Sequence, residues 1–150
     1  MKVSVEHIKK LRDELGVSIS DIRYALEESD GNEDKARELL KKKGLERAEK
    51  KSERQIKAGR VFSYIHHTGA VGAMVVLGCE TDFVARTDEF QKLGAELVMQ
   101  VASLGAGTVS ELQGQDYIRD SSKTVGTLIQ ETSGKLGENI QVKEIKSFRV

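Results

Sequence analysis

Proline is absent from this chain. Every turn must therefore be made by glycine, asparagine, aspartate or serine, each of which bends the backbone in its own way. Cysteine occurs once, at Cys79, which rules out an internal disulfide framework and fits a reducing compartment. No stretch approaches the roughly 18 to 20 apolar residues that span a bilayer, and Met1-Lys2-Val3-Ser4-Val5-Glu6-His7 has no apolar signal core. The expectation is a soluble, cytoplasmic protein with no membrane partner. Net charge is lacking too: Lys plus Arg and Asp plus Glu each number 24, so the whole chain has no bias toward nucleic acid. His-x-x-x-His, paired-cysteine, nucleophile-elbow and glycine-rich phosphate-loop motifs are all missing. No catalytic residue, cofactor or metal is expected, and the chain does not read as an enzyme.

The 150 residues suit one domain, or a small module joined to a compact core. Residues 4 to 43 predict three short helices. Val5, Ile8, Leu11 and Leu15 fall at helical spacing, and Gly16 ends that helix where a left-handed residue is tolerated. Ser18 and Ser20 are candidate N-caps for a second helix whose apolar stripe is Ile19, Ile22, Ala25 and Leu26. Asp30-Gly31-Asn32 signals a turn, and a third helix turns Ala36, Leu39 and Leu40 inward. Forty residues bury little, so residues 1–43 form a minimal module. Residues 41 to 57 are mostly charged, with only Leu45, Ala48 and Ile56 apolar, and 44–57 reads as a charged linker or a solvated helical extension. Between Lys41 and Arg60 nine Lys or Arg face three Glu, but no aromatic is interleaved to stack a base.

Residues 58–150 change character and predict an α+β core. Arg60 to Thr68 and Val71 to Glu80 read as strands around a Thr68-Gly69-Ala70 turn. Val71, Ala73, Val75, Leu77 and Cys79 share one wholly apolar face; the other carries Gly72, Met74, Val76, Gly78 and Glu80, is small and only partly polar, and invites a second layer, from another subunit for instance. A helix from Thr87 and Asp88 to about Leu104 bears the apolar stripe Phe90, Leu93, Leu97, Val98, Val101 and Leu104. A polar loop is expected from Gly105 to Ser122, a second core helix from Lys123 to Leu136, and a last strand from Asn139 to Val150. That strand's parity slips between Val142 and Ile145, so a bulge is expected. Alternation along a strand would send His66 and His67 to opposite faces, unable to chelate one ion together. Cys79, on the apolar face, should be inert.

Glu80-Thr81-Asp82-Phe83-Val84-Ala85-Arg86-Thr87-Asp88-Glu89-Phe90 occupies the corner between the second strand and the first core helix. Phe83 sits there among Asp82, Arg86 and Asp88, either folded back into its own core or presented outward. The stretch closely resembles the signature of the elongation factor Ts family, guanine-nucleotide exchange factors for the GTPase elongation factor Tu. Ala58-Gly59-Arg60-Val61, Tyr64-Ile65-His66-His67-Thr68-Gly69, Asp116-Tyr117-Ile118-Arg119-Asp120 and Lys135-Leu136-Gly137-Glu138-Asn139-Ile140 are similar to further family stretches, in the same order. The first forty residues resemble the ubiquitin-associated (UBA) fold that opens the family. Where many members carry Thr-Gly-Ala-Gly-Met-Met-Asp-Cys-Lys, this chain has Leu15-Gly16-Val17-Ser18-Ile19-Ser20-Asp21-Ile22-Arg23, without the second glycine and both methionines.

The resemblance implies a fold and a role. The fold is an N-terminal three-helix UBA-like module, a charged linker, and a small antiparallel three-stranded sheet packed with helices. Elongation factor Tu would be the partner, met by Thr81, Asp82, Phe83, Val84 and Arg86 with His66 and His67. Phe83 would wedge into the GTPase and disturb its Mg²⁺ and phosphate site. Val17, Ser18, Ile19, Asp21 and Arg23 would dock the N-terminal module. The setting would be bacterial cytoplasm, or an organellar matrix in a eukaryote. Longer members carry a second core half and a helical hairpin where this chain has only Gly105 to Ser122. A single core subdomain would leave sheet surface bare, and a homodimer would cover it. The rival reading is a UBA-type binding module with an attached sheet domain and no exchange activity.

Overall fold

Ser4 and Gly16 bracket the first helix, α1 (Val5–Leu15): the serine hydroxyl accepts from the Glu6 amide, and Gly16 closes the helix at φ 62°. The computed structural model describes residues 3–150; Met1 and Lys2, at the head of the expected module, and the side chain of Ala48 lie outside the described residues. Ser18 caps α2 (Ile19–Glu28), and Asp30 and Gly31, both at positive φ, turn the chain into α3 (Glu33–Lys51). The charged stretch is thus helical as far as Lys51. Two compact units divide at this point, Met1–Lys50 and Lys51–Val150.

The first unit closes around Leu11, Ile22, Ala25, Leu26, Ala36 and Leu40, with Ile8, Leu15 and Val17 against them. Two residues expected in that core are outside it. Val5 is 79% exposed and Ile19 47%, because each opens its helix, before the turn that packs. Polar pairing compensates for the small core. Arg47 grips both carboxylate oxygens of Asp21 at 2.8 Å, and Ser18 donates to the same carboxylate. These bonds, Arg47's first, hold the Asp21 carboxyl below its ordinary value. A depressed carboxyl stabilises the fold above its unfolded value of 3.8 and stops doing so as pH falls through the folded one. Acid unfolding of the N-terminal helices should therefore deepen below pH 3.8, and Asp21→Asn should flatten that part of the profile. Circular dichroism melts across pH 2–5 on both chains check this; superimposable profiles would refute it.

The second unit is built on a sheet of order β1-β2-β5, antiparallel throughout: β1 (Ala58–Ile65), β2 (Val71–Cys79) and β5 (Gln141–Arg149). One face carries Ala73, Val75, Leu77 and Cys79 of the central strand, flanked by Phe62 and Tyr64 and by Val142 and Ile145. Against it lies α5 (Asp88–Leu104), which buries Phe90, Leu93, Leu97, Val98 and Val101. Leu104 falls in the last turn and is 52% exposed. The expected slip in the last strand is present: Val76 pairs with Glu144 and Leu77 with Val142, so Lys143 is the extra residue of a bulge.

The expected loop from Gly105 to Ser122 is instead ordered structure. It contains α6 (Val109–Gly114) and a hairpin of β3 (Asp116–Tyr117) and β4 (Asp120–Thr124). The next helix, α7 (Val125–Leu136), starts at the N-cap Thr124, so Lys123 belongs to β4. Gln100 explains the order. Fully buried on α5, its amide donates to Gln115 Oε1 and Asp116 O and accepts from the Ile118 amide, giving the short hairpin the partners that a long ladder would supply. Tyr117 and Arg119 also converge on Glu96, and burial together with that carboxylate pushes the Tyr117 phenol up to about 12.

Candidate functional site

The end of β2 and the start of α5 are joined by a single helical turn, α4 (Asp82–Ala85). Thr81 caps it, its hydroxyl accepting from the Val84 amide at 3.4 Å. Thr87 ties the other end, donating to Val84 O at 2.8 Å and accepting from the Phe90 amide at 3.2 Å. Gln91 adds a bond to Ala85 O at 2.7 Å. Ala85 is fully buried and Val84 packs against the core. With the turn pinned this way, Phe83 is left 85% exposed. The chain does not fold the ring back into its own core. Asp82 and Arg86 pair at 2.6 Å on the same turn, both largely exposed.

Below the corner lies a set of carboxylates that the sequence reading passed over as contacts. Glu138, at the exit of α7, accepts from the amides of Glu80 and Thr81 and from the Thr81 hydroxyl. Glu80 in turn accepts from the Asn139 amide at 2.8 Å. The side chain of Asn139, only 4% exposed, donates to Arg54 O and Ser52 O. No local signal shows this, since the pairs are 57 to 59 residues apart. Cys79 is buried at the base; burial first, then the Glu138 charge, pushes its thiol pKa up, so it is unreactive at neutral pH.

His66 and His67 are elsewhere. His66 pairs with Val71 at the hairpin tip, whereas the corner follows Cys79 at the other end of β2, about 26 Å along a strand rising 3.3 Å per residue. They are therefore not neighbours of the corner. Nor do their rings diverge: they lie in the turn beyond β1, where strand alternation has ended, with centroids 4.1 Å apart. His66 Nδ1 is 2.9 Å from the Tyr64 hydroxyl. Among the described residues no three His, Cys, Asp or Glu side chains are grouped to hold a metal ion, and no helix is long and apolar enough to cross a membrane.

In the N-terminal unit, Val17 packs against the core, Ser18 is a cap and Asp21 is held by Arg47. Ser18, Ile19 and Arg23 are the exposed members of that set, and of these Ser18 is engaged as the cap.

The outer face of the sheet is exposed away from Gly78, over which the Ile56 side chain lies. Val61 (59% exposed), Ile65 (67%), Met74 (48%) and Phe148 (62%) lie on it, across three neighbouring strands.

Comparison with known proteins places this geometry. A family model described as "Elongation factor TS" matches residues 80–150, which begin at the corner and include Glu138. The chain is 42% identical over 147 residues to elongation factor Ts of Aquifex aeolicus, covering 95% of this chain and 51% of that protein. It is 45% identical over 125 residues to that of Petrotoga mobilis, covering 83% and 64%. With elongation factor Ts of Thermotoga neapolitana it is 36% identical over 193 residues, covering 100% and 98%. The chain thus spans about half of the Aquifex protein and nearly all of the Thermotoga one. The last alignment has 193 positions against 150 residues here, so at least 43 of its positions have no counterpart in this chain. The chain belongs to the elongation factor Ts family.

Proposed function

We propose that this chain is a guanine-nucleotide exchange factor for elongation factor Tu in translation elongation. The observation that carries the reading is Phe83, a large apolar ring held 85% exposed on a corner hydrogen-bonded at both ends. The backbone that carries the ring is tied at both ends before any partner arrives, which lowers the ordering cost of docking. Such a protein binds the nucleotide-free GTPase better than the loaded one, and reciprocity then weakens nucleotide binding equally. A thousandfold weakening needs a coupling of about 4 kcal/mol. A seated aromatic that displaces the elements around Mg²⁺ and phosphate supplies energy of that order. Asp82, Arg86, Thr81 and Val84 fix the turn's shape and rim. His66 and His67 contact the partner at the far end of the hairpin, and Ile19 and Arg23, on the module with Val17, Ser18 and Asp21, dock the N-terminal unit. Release of a fluorescent GDP analogue from elongation factor Tu tests the reading. Catalytic amounts of the chain should accelerate release, and its failure to do so while folded would refute it.

The same reading includes a homodimer through the bare sheet face. Isolated exposed apolar residues need no explanation, but Val61, Ile65, Met74 and Phe148 adjoin across three strands. A second copy offers the same patch, as a twofold interface requires. Met74→Asp would place a charge within the apolar patch that a second copy must desolvate, and should convert a dimer to a monomer in sedimentation analysis. Wild-type chain that sediments as a monomer at tens of micromolar would refute it.

A further inference from the structure

We infer that Glu138 is a positioning residue for exchange: its carboxylate holds the turn that presents Phe83, a role resting on the exchange reading above. A hydroxyl has one proton, and an N-cap hydroxyl must use its lone pairs to accept from the helix. Thr81 gives its proton to Glu138 Oε2 at 2.6 Å, which leaves its lone pairs for the Val84 amide. Glu138 Oε1 meanwhile accepts from the amides of Glu80 and Thr81 at 3.1 and 2.9 Å, two donors that the end of β2 would leave unpaired. Bonds to an ionised acceptor are about twice as strong as neutral ones.

The carboxylate is itself firmly mounted. Gly137 ends α7 at φ 73°, and Ser133, 5% exposed, donates to the carbonyl of Glu138. Glu80 returns the contact through the Asn139 amide, so the two corners are bound reciprocally. A four-residue helix does not hold its shape alone, since a first turn costs more order than its few bonds return. Glu138 on one side and Thr87 on the other therefore decide how often Phe83 stands in its docking position. If that fraction falls, the partner must select a minor state, and apparent affinity falls in proportion. The rate within a formed complex is untouched.

The test measures GDP-analogue release at catalytic amounts of chain over a range of elongation factor Tu·GDP concentrations. Wild type, Glu138→Ala, Glu138→Gln and Phe83→Ala are compared, with hydrogen exchange at the Thr81 and Val84 amides read on the free chains. Glu138→Ala should raise the half-saturating concentration about tenfold, at a maximal rate within about twofold of wild type. Glu138→Gln keeps an oxygen for the two amides and should recover to within about threefold. Thr81 and Val84 should lose protection in Glu138→Ala and keep it in Phe83→Ala. A lowered maximal rate at unchanged half-saturation marks a loss of folded protein alone and overturns the proposal, as does unaltered amide protection. If wild type itself fails to accelerate release while protection still responds to Glu138→Ala, the exchange reading falls and the ordering of the corner by Glu138 stands.

Discussion

Phe83→Ala should lower the kcat/KM for GDP release by roughly 30- to 1,000-fold, which corresponds to the loss of about 2–4 kcal/mol typical of a buried aromatic anchor at an interface. The free chain should hardly notice. Phe83 is 85% exposed and makes no core contact to forfeit, so its removal should shift stability by less than about 0.5 kcal/mol. That asymmetry makes the variant informative: a large functional loss in a chain with unaltered melting can only come from contacts made with the partner. Stopped-flow release of the nucleotide analogue, beside a thermal melt, reads both quantities. Undiminished exchange would move the mechanism to other residues of the hairpin or the N-terminal unit. A melting temperature well below wild type would mean that the ring supports its own fold after all.

The largest stability effect should come from Gly59→Ala. Gly59 stands opposite Gly78 in the β1–β2 ladder, at φ 155°. A Cβ there would lie 2.3 Å from the carbonyl oxygen of Leu77 and 3.0 Å from the Gly78 Cα. Both obstacles are backbone of the central strand, whose inner face carries the core, and neither can rotate away. Strain in a glycine-only region plus overpacking should cost about 3–4 kcal/mol. In a unit of this size, that lowers the melting temperature by roughly 15–25 °C. Gly94→Ala provides the contrast. A Cβ at Gly94 would meet the Phe62 ring at 2.2 Å, a closer approach on paper. That obstacle is a half-buried side chain rather than backbone, so it can yield by a rotamer shift, and alanine returns about 1 kcal/mol of helix propensity. The net cost there should be about 1–2 kcal/mol. Differential scanning calorimetry of the two variants settles the ranking, and the reverse order would show that the strand yields more readily than the ring.

Local interactions account for what was legible in the residues alone. The long helices followed from apolar spacing, and ends among them from Ser18, Thr87 and Gly16, which cap as their chemistry requires. The bulge at Lys143 was legible because a strand cannot change which parity faces the core without an extra residue. The signature around Phe83 was legible because the likeness to the family rests on residue type in short order. In these cases the interacting groups are within a few positions of each other, so a window of sequence contains the physics.

Contacts between distant segments were decided only by the fold. Glu138 reads as a solvated charge after a helix, and becomes the support of the Phe83 turn only when α7 ends beside β2. Gln100 carries no sequence signal of its role, yet its buried amide orders a hairpin whose strands are too short to declare themselves. Asp21 reads as a surface contact and is instead held by Arg47. His66 and His67 read as companions of Phe83 and stand at the opposite end of the hairpin. Sequence by itself determined the longer helices and the three long strands, the family and the residue on which exchange is proposed to turn, because backbone propensity, capping and periodicity are local. Tertiary structure alone decided which polar side chains are partners and whether Phe83 points in or out, because a hydrogen bond is set by a distance in space that sequence separation does not encode.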